Sequence, residues 1–149
     1  MQTPKEIADS FRVLDFHDDT FAGMKILPAQ ARDDATGSVI EIELLHCSDK
    51  KPRVLRFVGC VNLRVAMDFD VLANNFPINT SHVDADTNPN RMKNLMESQK
   101  RDWDLNYASK MVTPLMKKLE LLGEFVFFRL QFFGGVIEIA ARTYQVENR

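Results

Sequence analysis

The chain contains three histidines, His17, His46 and His82, and each sits beside a residue with which it could do chemistry. His17 is followed by Asp18 and Asp19, and neighbouring carboxylates raise an imidazole pKa into the range useful for proton transfer. That triplet could act as a general acid or base, or hold part of a cation. Equally, one aspartate could cap backbone amides at the start of a strand and leave His17 partly exposed. His82 opens a run with Asp84, Asp86 and Asn88 that looks like the start of a calcium loop. With Asp84 as the first ligand, however, Pro89 stands where the sixth position needs Gly, and Leu95 replaces the bidentate Glu at the twelfth, which excludes an EF-hand. An irregular cation site in the 71–87 stretch, or a plain polar loop, are the remaining readings. His46 and Cys47 are adjacent, and on a strand adjacent side chains point to opposite faces, so neither activates the other. No second Cys or His pair has the spacing of a zinc site. A Gly-rich phosphate loop and a Gly-x-Ser-x-Gly elbow are absent too, so no catalytic residue, metal or cofactor is assigned.

The elements that position these residues follow from periodicity. Thr3, Pro4 and Glu6 form a helix-start signature, and Ile7, Phe11 and Leu14 repeat at helical spacing as cover for a core. A strand over 21–27 ends at Pro28. Ile40, Ile42 and Leu44 alternate with Glu41 and Glu43, and the chain returns through 48–52 to Leu55, Arg56 and Phe57, which predicts a hairpin with Arg56 facing the glutamates. The odd-numbered apolar pattern persists from Leu55 to Phe69. A straight strand of that extent would span roughly 50 Å at about 3.3 Å per residue, so a bend or a crossing between layers is expected at Gly59 and Cys60. This register keeps Cys47 near the turn and Cys60 far from it, which argues against a disulfide between them. Residues 71–87 read as loop.

Asn88 and Pro89 then start a helix with Met92, Leu95, Met96, Trp103, Tyr107 and Met111 on its apolar face. Thr113-Pro114 breaks it, and a second helix ends at Gly123. A closing hairpin pairs 126–133 with 136–146 through Gly134-Gly135, with Phe128, Leu130, Phe132, Ile137, Ile139 and Ala141 facing the core. Phe125, Phe127 and Phe133 have the opposite parity. Either further elements cover that second face, or it offers an apolar surface to a partner chain. Strands, then helices, then strands predict a single α+β domain over 1–149. Its expected form is a largely antiparallel sheet of about six strands with helices covering one face.

Composition bounds the partners. At 149 residues, 45% hydrophobic and 27% charged, the chain is long enough to bury about two-thirds of its unfolded surface. A net charge of −2 offers no attraction to phosphate backbones, so nucleic acid is not an expected partner. The longest apolar run, 125–133, is interrupted by Arg129 and Gln131, so no span of the membrane is expected. Residues 1–6 have neither a basic start nor an apolar stretch, so no secretion signal is expected, and two cysteines suit the expected reducing, cytosolic setting.

Phe16-His17-Asp18-Asp19, the Glu41/Glu43 strand returning through Leu55-Arg56-Phe57, and the closing hairpin with Val136-Ile137-Glu138-Ile139-Ala140-Ala141 resemble a group of small bacterial proteins. These are proteins of unknown function in which Phe-His-Asp precedes a strand, some assigned as immunity proteins of contact-dependent toxin systems. The resemblance spans 16–69 and 125–146 and implies a non-enzymatic cytosolic binder. The expectation is therefore a protein that binds another protein or a second copy of itself, with His17, Asp18, Asp19, Phe125 and Phe127 as binding candidates. The alternative is a small-ligand or metal-dependent enzyme built on His17 and Asp18, with His82 and Asp84 brought near by folding.

Overall fold

Thr3 Oγ1 accepts the Glu6 amide at 3.2 Å while Glu6 Oε2 accepts the Thr3 amide at 2.7 Å, and this reciprocal cap starts the helix α1 (Pro4–Arg12). A computed structural model describes residues 2–28, 38–68, 78–88 and 125–149, and, all helical, residues 90, 91, 93, 94, 97, 98 and 101. One stripe of α1, formed by Ile7, Ala8 and Phe11, is buried as the spacing requires.

Eight strands follow: β1 (Thr20–Leu27), β2 (Ser38–Leu45), β3 (Pro52–Cys60), β4 (Asn62–Met67), β5 (Thr80–Asp86), β6 (Val126–Phe132), β7 (Gly135–Ala141) and β8 (Thr143–Asn148). They form two four-stranded sheets, ordered β1-β2-β3-β8 and β4-β7-β6-β5, and every pairing is antiparallel. Ile40, Ile42, Leu44, Leu55 and Phe57 of the first sheet share one core with Phe128, Leu130, Phe132, Ile137 and Ile139 of the second. Phe11 reaches that core from α1 and meets the rings of Phe57, Phe128 and Tyr144 at 6.0, 4.9 and 5.0 Å. Outward, rows of register partners alternate in charge. Lys25, Glu41 and Arg56 cross the first sheet, and Arg64, Glu138, Arg129 and Asp84 cross the second.

The long odd-parity segment is divided, and its inward face is interrupted: Val65 is 46% exposed, and residue 69 lies outside the described residues. The segment breaks at Val61, just past Gly59, whose φ of 72° is left-handed, and continues from β3 in one sheet to β4 in the other. Its partner breaks at the same level, β7 passing into β8 at Arg142. The Arg142 stem lies against Gly59, where an added Cβ would stand 2.9 Å from Arg142 Cδ.

The expected α+β arrangement, one sheet of about six strands with helices covering a face, is therefore overturned. The described residues build a mostly β molecule of two sheets, in which α1 lies against β5 and β6 of one and β8 of the other. Two causes account for the difference. Each of two long strands serves both sheets, and residues 80–86, read as loop, are the edge strand β5. That strand carries only small or short side chains on its core face, Thr80, Val83 and Ala85, opposite Phe132, Leu130 and Phe128. The helix expected from Asn88 does begin there, with Asn88 Oδ1 accepting the Asn90 amide at 2.9 Å. Its continuation past residue 101 and the helix ending at Gly123 lie outside the described residues. The closing turn is Phe133-Gly134, one residue earlier than expected, because Phe132 pairs with Gly135. Cys47 and Cys60 are both free thiols.

Candidate functional site

Three chain segments meet at one end of the first sheet. Thr20, Leu45 and Pro52 lie side by side in register, so Asp19 and His46 with Cys47, just beyond them, share that end with Arg53, the second residue of β3. Asp19 is the hub, with only 1% of its surface exposed. Its Oδ1 accepts the Cys47 amide at 3.1 Å, its Oδ2 is ion-paired with Arg53, and its carbonyl accepts the Thr80 amide at 2.8 Å and hydroxyl at 3.1 Å. With a guanidinium and a backbone amide on its two oxygens, this buried carboxylate has both oxygens partnered. Arg53 also donates to the Asp15 carbonyl at 3.2 Å and lies over the Phe16 ring, 4.6 Å from its centroid.

The three candidates at 17–19 thus separate into different roles. The Asp19 amide donates to the Phe16 carbonyl at 2.9 Å and closes a tight turn with His17 and Asp18 at its tip. Asp18 has φ 65°, a left-handed conformation that aspartate tolerates better than most residues, and its amide is fixed on the Thr80 carbonyl at 2.8 Å. The His17 and Asp18 side chains, 62% and 54% exposed, face each other with Nδ1 3.1 Å from Oδ2.

His46 and Cys47 depart from expectation. They lie beyond the end of β2, in the turn to β3, so the strand rule that would set them on opposite faces does not hold. Ligating atoms of Asp19, His46 and Cys47 all fall within 4.8 Å of one another. Sequence reasoning missed this grouping and Arg53 with it. The signal was present in the hairpin, because a strand paired on both sides of β2 must bring its flanking residues to the same end.

Of the 71–87 stretch weighed as a cation site, residues 71–77 lie outside the described residues. Asp84 pairs with Arg12 at 3.3 Å and Asp86 with Arg91 at 2.5 Å, so both carboxylates are engaged by arginines. His82 is exposed on β5. Phe125 and Phe127, of opposite parity to the core set, are only 4% and 9% exposed, while Phe133 of the same parity is 56% exposed. Arg91, from the helix after β5, covers the Phe127 ring at 5.0 Å, so the reading in which other elements cover this face holds there. Beside it runs a groove of about 370 Å³, lined by Asn62, Arg64, Arg91, Asn94 and Glu138 among others. No helix among the described residues is long and apolar enough to cross a membrane. No protein-family model and no curated protein matches this chain.

Proposed function

We propose that the protein is a non-enzymatic cytosolic binding module that recognises another protein through the turn carrying His17 and Asp18. An immunity-like role is the specific form its sequence resemblance suggests. The observation that carries this reading is the left-handed Asp18, held by the Thr80 carbonyl so that an exposed imidazole and carboxylate are presented on fixed backbone. Backbone strain persists where the surroundings over-determine it and is concentrated at functional positions. Fixing the groups before contact lowers the ordering cost of association. The buried Asp19 and Arg53 supply the platform, and the free thiols of Cys47 and Cys60 suit a reducing compartment.

The test is affinity capture with the intact protein, its His17→Ala/Asp18→Ala double variant and a Phe133→Ser control, alongside mass measurement in solution. A stoichiometric protein partner held by wild type and control but lost by the double variant, at unchanged melting temperature, is the expected result. Capture undiminished in the double variant, a self-associated species alone, or no stoichiometric partner would overturn it.

A further inference from the structure

We propose that Cys47, His46 and Asp19 form a binding site for a borderline divalent metal ion of the zinc class. Thiolate sulfur, imidazole nitrogen and carboxylate oxygen are the donors that zinc takes in proteins, and a three-ligand set leaves a fourth tetrahedral position for water. In this protein the three come from two loops, 28 residues apart in sequence, yet they are already linked, because the Cys47 amide donates to Asp19 Oδ1. Their ligating atoms lie within 4.8 Å of one another, whereas bond lengths of 2.0 to 2.3 Å around a tetrahedral ion ask for about 3.3 to 3.8 Å. The required contraction is at most about 1 to 1.5 Å, and two of the three ligands, His46 and Cys47, sit in a turn.

The surroundings suit ligation. Metal-bound carboxylates are themselves hydrogen-bonded by neighbouring groups, and Arg53 and the Cys47 amide hold Asp19 in this way while each oxygen keeps a second lone pair. The Ser48 amide donates to His46 Nδ1 at 3.2 Å, which fixes the orientation of the ring at the turn. Cys47 is exposed and His46 half-buried, which gives an ion a path from solvent. On binding, the Cys47 S–H bond breaks, its proton passes to solvent, and the sulfur lone pair forms the metal bond with no change of oxidation state. With Arg53 still paired with Asp19, the ion, thiolate, carboxylate and guanidinium sum to a charge of +1, which a hydroxide or other anion in the fourth position offsets. This inference is independent of the protein-binding reading.

The experiment is a cobalt(II) titration of the reduced full chain, followed by displacement with zinc(II). A stoichiometric near-ultraviolet sulfur-to-cobalt charge-transfer band is expected in wild type and in Cys60→Ala. The band is expected to vanish in Cys47→Ser, and affinity to fall about tenfold or more in His46→Ala. Melting curves of the metal-free variants confirm that these substitutions at a turn leave the fold intact. No stoichiometric cobalt uptake, a band that survives in Cys47→Ser, or a band lost in Cys60→Ala would overturn the proposal.

Discussion

At the scale of single residues, Asp18 and Asp19 are neighbours with opposite consequences. Asp18 holds φ 65°, a region that glycine enters freely and β-branched residues do not. Asp18→Gly is expected to leave stability unchanged or raise it by up to about 1 kcal/mol, and Asp18→Val to lower it by about 1–2 kcal/mol, as read from urea midpoints. Asp19→Ala removes one partner of a buried pair and leaves the Arg53 guanidinium without its counter-charge. A loss of about 3 kcal/mol or more is expected, and Asp19→Asn should recover part of it through the retained Cys47 amide contact. The thiols differ as sharply. Burial pushes the Cys60 thiol up to about 11, from an ordinary value near 9. The unfolded chain therefore loses that proton first as pH rises, so stability should fall between about pH 9 and pH 11 and be unaffected by Cys60 below that window. Cys60→Ala should flatten this alkaline slope in denaturant titrations, and an unaltered slope would show that another group is responsible.

At the scale of elements, the crossover at Gly59 decides the architecture. An alanine there would take on a left-handed φ and set its Cβ 2.9 Å from Arg142 Cδ, so a loss of about 1–3 kcal/mol is expected from Gly59→Ala in thermal melts. A companion Arg142→Ala should relieve most of the clash, leaving the Arg142 Cβ contact at 3.1 Å and the backbone strain, which makes the double variant less damaged than the sum of the singles. The crossover was legible in the sequence because an unbroken odd parity over too great a length has to bend. Both hairpins were legible for a related reason: Ile40, Ile42 and Leu44, and Phe128, Leu130 and Phe132, alternate with charges that line up across the strands. β5 was hidden because its core face needs little volume. α1 packs against this edge strand, and Phe128, Leu130 and Phe132 supply the bulk opposite Ala85, Val83 and Thr80. Without large apolar side chains, His82, Asp84 and Asp86 read as loop chemistry. The candidate site was half visible. His17 and Asp18 stood out as residue types, whereas the convergence of Asp19, His46, Cys47 and Arg53 depends on where two strands happen to end.

At the scale of the whole molecule, the two sheets are not separable layers. β3 with β4 and β7 with β8 are two continuous chain segments that each serve both sheets, and Phe11 touches Phe57 and Tyr144 of one sheet and Phe128 of the other. Neither sheet can lose its strands without pulling strands from the other, and α1 cannot leave without opening the core that both share. Unfolding should accordingly be a single transition, with far-ultraviolet and aromatic signals coincident and the calorimetric enthalpy equal to the van't Hoff value. Phe11→Ala is the sharpest probe of this coupling. Removing a fully buried ring at the junction should cost about 3–5 kcal/mol. Because the ring contacts both sheets, the loss should lower the one transition as a whole. A variant in which α1 frays early while the strands melt at their original temperature would show instead that the helix is an independent cover and that the sheets hold one another without it.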